Sequence, residues 1–135
     1  MAVKVLTNAS ITVNAIDLST KSNSVTLNYE IDSVEVTAFG DGGHKFTGGL
    51  QNNSCDIELM QDFAASLTEA TIFPLVGTTT TLIIRADSGA VSVTNPTYTI
   101  TGAFLAAHTP VAGAIGELMM TSLSFTGGTL VKTTA

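Results

Sequence analysis

The stretch that decides the fold is NPTYTITGAFLAAHTPVAGAIGELMMTSLSFTGGTLV, residues 95–131. Between Thr97 and Ala107 apolar and polar side chains alternate, which is the period of a half-buried β-strand. The expected inward face of this strand carries Tyr98, Ile100, Phe104 and Ala106. The segment therefore predicts a strand that contributes one side of a core.

The remainder of the stretch predicts two further strands. Thr109-Pro110 and Gly113 mark a connection, after which residues 115–125 are expected to form a strand. Gly127-Gly128 then turns the chain into a last short strand, Thr129 to Thr133. The whole stretch is thus a run of consecutive strands joined by short turns.

Threonine, valine and isoleucine supply 22, 11 and 9 of the 135 residues. Their branched side chains prefer a pleated sheet to a helix, so we expect a mainly β single domain over residues 1–135. Only 12% of the residues are charged, against a typical ~25%, yet no apolar run approaches the ~20 residues of a membrane helix. Such an uncharged surface predicts a protein that covers part of itself with further copies.

The net charge is −6, and the five basic residues form no patch that could neutralise phosphates, so tight nucleic-acid binding is not expected. Cys55 is the only cysteine, which excludes an intrachain disulfide and a cysteine-rich zinc site. It is expected to be a small buried hydrophobe, because no basic residue nearby lowers its pKa. Since no signal peptide follows Met1, we expect synthesis and folding in a reducing cytoplasm.

The upstream strands are predicted with two changes of phase. Residues 1–6 are either a strand or a free arm. A shift of the apolar positions near Ala15 predicts a β-bulge within the first strand. Residues 25–32 alternate clearly, but the phase flips at Ser33, so this strand either bends across two layers or becomes two strands.

Carboxylates lie on the polar faces of two predicted strands. Glu30 and Asp32 lie on the first, close to Glu35, and Asp56 and Glu58 lie on the second. These acids form either an ordinary solvated sheet face or a surface that must repel another polyanion.

Residues 39–50, FGDGGHKFTGGL, contain five glycines and are predicted to be a mobile loop rather than a strand. No helix signal follows Lys45, so a phosphate-binding loop is not expected. His44 is expected to be an exposed loop histidine rather than a metal ligand or catalytic base, because its only companion histidine is distant in sequence. Long loops usually contact a partner, and the expected partner is the next subunit. The candidate contact residues are Gly40, Asp41, His44, Lys45 and Phe46.

One helix is predicted, from about residue 62 to residue 73, with Asp62 as its cap and Pro74 beyond its end. Its buried stripe is expected to consist of Phe63, Leu67 and Ala70. The strand that follows, residues 78–87, carries Arg85, which either pairs with an acid or lies solvated at an edge.

Several phrases of the sequence resemble those of a known protein family. They are VEVTAFGD at 34–41 leading into HKF at 44–46, the segment 54–63, NPTY at 95–98, and GEL at 116–118 leading to SFTGG at 124–128. Together with the order of the elements, they resemble the major tail tube proteins of long-tailed, siphovirus-type bacteriophages.

The resemblance implies a β-sandwich or barrel with one flanking helix. It implies subunits that close into hexameric rings and stack into a tube, through which DNA passes without specific binding. The implied partners are copies of the chain itself and the tape measure, tail terminator and tail tip proteins, in the tail of a virion. No enzyme activity, cofactor, metal site or membrane contact is implied. Glu30, Asp32, Asp56 and Glu58 become candidate channel-lining residues, because confined carboxylates repel DNA phosphates.

Two rival functions stay open. The chain could be another virion component, either a tail terminator or a capsid decoration protein. It could also be a carbohydrate-binding or adhesive β-sandwich, although only Tyr29 and Tyr98, and no tryptophan, could stack on sugar rings. An enzyme is not expected, since isolated histidines and one cysteine form no catalytic constellation.

Overall fold

The computed structural model describes residues 3–65 and 67–134, and this part of the chain is mainly β, as predicted. It contains one α-helix, α1 (Thr68–Ile72), and two 3-10 turns, Ser19–Lys21 and Phe73–Leu75. The strands are β1 (Ser10–Val13), β2 (Ile16–Asp17), β3 (Ser22–Asn28), β4 (Ile31–Glu35), β5 (Phe46–Gln51), β6 (Ser54–Met60), β7 (Thr78–Arg85), β8 (Thr97–Leu105), β9 (Met120–Thr126) and β10 (Thr129–Thr133).

Eight of these strands form one antiparallel sheet in the order β2-β1-β7-β8-β9-β6-β3, with β10 also paired to β8. The sheet folds over at β8, so that β1, β7 and β10 lie opposite β3, β6 and β9. Buried side chains from both halves meet in a single core, which includes Ile11, Leu82, Ile100, Ile57, Leu123 and Phe125. The result is a β-sandwich whose two layers share one strand.

A bulge at Gly102 allows β8 to serve both layers. Thr80 pairs with Ala103 but Thr81 pairs with Thr101, so Gly102 is the extra residue, and its φ is +83°. An extra residue reverses the alternation of a strand, which moves the inward positions from Ile100 to Ala103 and Leu105. The predicted inward positions of Phe104 and Ala106 are therefore wrong, and Phe104 is 40% exposed.

The predicted bulge near Ala15 is a tight turn instead. Val13 pairs with Ile16, and the two residues between them, Asn14 and Ala15, both have positive φ. This is the backbone of a two-residue hairpin, in which the strand direction reverses and the apolar phase changes with it. The strand predicted from residue 25 becomes two strands, as in the second alternative, but the division falls at Tyr29 and Glu30, between β3 and β4, and Ser33 lies within β4.

The predicted helix exists, but it is much shorter than residues 62–73. Asp62 does not cap α1: its carboxylate accepts a hydrogen bond from the Ala64 backbone N–H and pairs with Lys21 at 2.9 Å. Phe63 is exposed rather than part of a buried stripe. The helix is instead anchored by the buried Thr68, whose hydroxyl donates to the Met60 carbonyl.

The boundaries of the last strands follow the prediction except at one end. β10 spans Thr129–Thr133 as expected, whereas β9 begins at Met120 rather than at Ile115. Ile115 is fully exposed, and residues 113–118 are all exposed. This segment therefore makes no contribution to the core. Met119 and Met120 are both half-buried, and neither belongs to the buried core.

The Gly127-Gly128 turn provides a direct test of the packing around β8. Gly128 has a φ of +85°, and a Cβ there would lie 2.7 Å from the Thr101 carbonyl oxygen and 2.8 Å from Ile100 Cγ2. Gly127 has a similar φ but open space around it. We expect Gly127→Ala to cost about 1–2 kcal/mol of unfolding free energy, from backbone strain alone. Gly128→Ala should cost about 3 kcal/mol or more, because the methyl group overpacks β8. Equal losses in urea denaturation would contradict this account of the turn.

Candidate assembly interface

β4 and β5 form a separate two-stranded sheet, which we call the hairpin arm (residues 31–51). These two strands pack chiefly against each other, and nearly every residue of the arm is exposed. The predicted loop over 39–50 is thus a loop only as far as Lys45, and Phe46–Gln51 is a strand. Its two glycines do not break the strand. A Cβ on Gly49 would lie 3.1 Å from Val34 Cγ2, so glycine leaves room for the facing side chain.

The arm carries apolar side chains on both of its faces. Val34 pairs with Thr47 and Glu35 with Phe46, so Val34 and Phe46 lie on opposite faces. Val34 is 47% exposed and Phe46 is 62% exposed, while Phe39 near the tip is fully exposed. Within one chain, therefore, neither face of the arm is covered.

The five candidate contact residues lie together at the end of the arm. His44 Nδ1 contacts Glu35 Oε2, and Lys45 Nζ pairs with Asp41 Oδ1 at 2.9 Å. Asp41 also accepts a hydrogen bond from the Ala38 backbone N–H, and that bond and Lys45 hold its pKa below the usual value. The tip thus makes several polar contacts of its own, and the mobility that its sequence predicted stays a prediction.

The four candidate channel-lining acids separate into two pairs. Asp56 and Glu58 point outward from β6, whereas Glu30 lies in the link between β3 and β4, and Asp32 lies in the arm. Around Asp56 and Glu58, the paired residues of β3 and β9 are hydroxyl-bearing. The Ser124 hydroxyl donates to Asp56 at 2.8 Å. We call the outer surface of β3, β6 and β9 the acidic face, because none of these strands contains Lys or Arg.

Solved structures share this architecture at low sequence identity. A chain of the PVC extracellular contractile injection system, from its extended sheath-tube complex, superposes with a TM-score of 0.69 at 14% identity, over 98% of this chain and 92% of that chain. A chain from the tube terminating cap of the anti-feeding prophage gives 0.70 and 12%, over 100% and 95%. A chain from the virion of a native gene transfer agent gives 0.65 and 13%, over 97% and 99%.

The fold is of the phage tail type. No protein-family model and no curated protein matches the sequence. At identities of 12–14% the similarity is one of fold alone.

The buried and basic groups of the tail-type domain serve structural roles. Cys55 is buried as predicted, and burial, aided by the charge of Asp56, raises the pKa of its thiol to about 12. Arg85 donates to the carbonyls of Asp87 and Ser88 and forms no ion pair among the described residues of its own chain, while a pair with an acid of a neighbouring subunit stays a prediction. Within the described residues, no group of three or more metal-ligating side chains is present, and no helix has the length and apolar character to span a membrane.

Sequence reasoning missed two residues that organise this domain, one asparagine and one histidine. Asn53 is 1% exposed and hydrogen-bonds to three separate segments, although its sequence context, QNNS, indicates only a turn. His108 is partly buried, and its Nδ1 lies 3.2 Å from the Thr121 hydroxyl. Its Nε2 is buried with no partner among the described residues. Both roles depend on contacts with segments distant in sequence.

His108 predicts a pH dependence of stability. Burial lowers the pKa of its imidazole, and the charge of Glu69 opposes this only in part. The unfolded chain therefore binds the proton more readily, so stability is complete above the unfolded pKa of about 6.5 and falls as the pH drops below it. Urea denaturation between about pH 5 and pH 7.5 should show this fall, and His108→Gln should flatten it. Parallel curves for the two proteins would contradict the assignment.

Proposed function

We propose that this chain is a structural subunit of a phage-type tail tube, a narrower role than its fold alone indicates. Copies of it assemble into stacked hexameric rings that enclose a channel for DNA. Its further partners are the tape measure, tail terminator and tail tip proteins of the same virion. The observation that carries this proposal is the hairpin arm, which exposes apolar side chains on both of its faces in the single chain.

The total exposed surface supports an assembling subunit. The chain exposes 8138 Å², whereas a compact monomer of its 13.9 kDa mass exposes about 6,700 Å². The excess, about 1,400 Å², is within the range of total area buried in a standard protein interface. Because the arm differs from the surface it would contact, such a contact is heterologous and generates rings or open stacks of copies.

The similar structures support a ring of six subunits and a tube. A gene transfer agent tail of C6 symmetry is similar with a TM-score of 0.55 at 18% identity, over 85% of this chain and 83% of that chain. The PVC complex contains a sheath and a tube. We carry the ring and the tube over to this chain as part of the proposal.

The acidic face is the part of the sandwich best suited to line a DNA channel. Its carboxylates and hydroxyls present no cation to a phosphate within β3, β6 and β9. DNA would therefore be repelled and would slide without sticking. Of the four candidate lining residues, Asp56 and Glu58 lie on this face, while Glu30 and Asp32 would line the channel where the arm leaves the body.

The main alternative is a tail terminator, since a PVC sheath/tube terminator has a similar fold with a TM-score of 0.70 at 12% identity. A terminator would form a single ring, and a capsid decoration protein would form trimers or monomers. A carbohydrate-binding role is disfavoured because Tyr29 is exposed but Tyr98 is half-buried, so the two do not provide an open aromatic platform. Electron microscopy of the concentrated protein separates these functions, and we expect long tubes of stacked rings.

The arm can be tested with a pair of matched phenylalanines. Phe46 on the arm and Phe63 on the body are 62% and 56% exposed. If the arm is buried between subunits, Phe46→Ser should raise the concentration needed for tube formation about tenfold or more, because burying a phenylalanine is worth roughly 1.5–3 kcal/mol. Phe63→Ser should have little effect, and melting of the unassembled protein should match in the two variants. Sedimentation across a concentration series measures the difference, and equal shifts would refute the role of the arm.

The acidic face can be tested by charge reversal. Glu58→Lys and Glu117→Lys each change the net charge from −6 to −4, but Glu117 lies in the exposed turn before β9. Tubes should form in both cases. Only Glu58→Lys tubes should retain short DNA fragments on sedimentation at low salt, and added salt should release them. Retention by both variants, or by neither even after adding Asp56→Lys, would remove these acids from the channel wall.

A further inference from the structure

The hairpin arm is joined to the sandwich by a small buried cluster at its base. Asn53, directly before β6, is 1% exposed, and both its amide oxygen and its amide nitrogen form hydrogen bonds. Its Oδ1 accepts a hydrogen bond from the Glu30 N–H at 3.3 Å. Its Nδ2 donates to Gln51 Oε1 at 2.8 Å and to the Gly128 carbonyl at 3.2 Å. One side chain thus joins both strands of the arm to the turn between β9 and β10.

Gln51 and the Asn53 backbone complete the link. The same Gln51 Oε1 accepts the Leu130 N–H at 3.0 Å, and the Asn53 carbonyl accepts the Gly127 N–H at 2.9 Å. The receiving turn is itself fixed, because Gly128 packs against Thr101 of β8 without room for a Cβ. The base of the arm is therefore bonded to a turn that packs closely against β8.

The chemistry of this cluster requires an asparagine at position 53. Only an amide of this length offers two N–H donors to the Gln51 and Gly128 oxygens while accepting from Glu30. An aspartate has the same shape but would place a carboxylate against two oxygens. An alanine would leave the Glu30 N–H and the Gly128 carbonyl without this partner.

We propose that Asn53 and Gln51 are positioning residues, which hold the arm at one angle to the body before any contact with another subunit. The role rests on the proposed function, because the arm is the part offered to neighbouring copies. An arm already held in its bound direction avoids the entropy loss of being ordered on association, and so assembles at lower concentration. Loss of the cluster should leave the sandwich folded but allow the arm to swing.

Distances in the unassembled protein test this directly. Nitroxide labels on Gly42→Cys at the tip and Ser122→Cys on β9 report the angle of the arm, since Gly42 has open space and Ser122 is exposed. Cys55 stays unlabelled because it is buried and its thiol pKa is about 12. In this background we compare Asn53→Ala and Gln51→Ala with the control Asn52→Ala, an exposed neighbour.

We expect a narrow distance distribution for the parent and for Asn52→Ala, and a broad one for Asn53→Ala and Gln51→Ala. In the protein without the two cysteine substitutions, Asn53→Ala and Gln51→Ala should each raise the concentration required for tube formation roughly tenfold, as for the loss of one or two hydrogen bonds. If Asn53→Ala does not fold, Gln51→Ala still tests the proposal, because it removes part of the same cluster. A narrow distribution in Gln51→Ala and in any folded Asn53→Ala overturns the proposal, and so does a broad one with unchanged assembly. If the protein without any substitution forms no tubes, the proposed function fails. The distances between the labels still test the positioning role of Asn53 and Gln51.

Discussion

The close contact between the Gly127-Gly128 turn and β8 is the constraint on which the rest of the structure depends. The turn approaches β8 beside the Gly102 bulge, where a Cβ on Gly102 would lie 3.9 Å from Gly128 Cα. Before the bulge β8 pairs with β10, and after it with β9, so one strand closes both layers over a common core. Asn53 then bonds to the same turn, which places the arm. Core, layers and arm thus share one region of close backbone packing, in which Gly128 has no room for a Cβ.

Alternation of apolar residues predicted the strands well wherever a strand is regular along its length. β10 was predicted to the residue because the Gly127-Gly128 turn marks its start, and β7 was predicted nearly as well because Asp87-Ser88-Gly89 marks its end. The errors fall at glycines and turns. Gly102 reverses the phase of β8, whereas Gly48 and Gly49 allow β5 to pass close to β4. What a glycine does depends on the side chain across the sheet, and the sequence does not specify that neighbour.

The candidate site was predictable in its residue types but not in its grouping. Polar strand positions identified the acids, but only the register shows that Asp56 and Glu58 share a hydroxyl-rich face from which Glu30 and Asp32 are absent. The role of buried Asn53 was not predictable, since two of its partners, Glu30 and Gly128, are distant in the chain. Buried Asn95, by contrast, has partners nearby in the sequence. Its amide donates to the carbonyls of Asp87, Gly89 and Ala90, which explains the Asn-Pro signal at the start of β8.

The proposed tube wall needs surfaces that adhere and a surface that does not, and the chain has a separate surface suited to each. The arm is apolar on both faces, whereas the acidic face has no cation in its strands. Acids can be buried between subunits only if cations pair with them. Lys21 and Lys45 already pair with carboxylates and Arg85 bonds to carbonyls, which leaves two of the five basic residues, Lys4 and Lys132, for such pairing. With so few cations to spare, the acidic face is better left in water, and hydration is what the wall of a DNA channel requires.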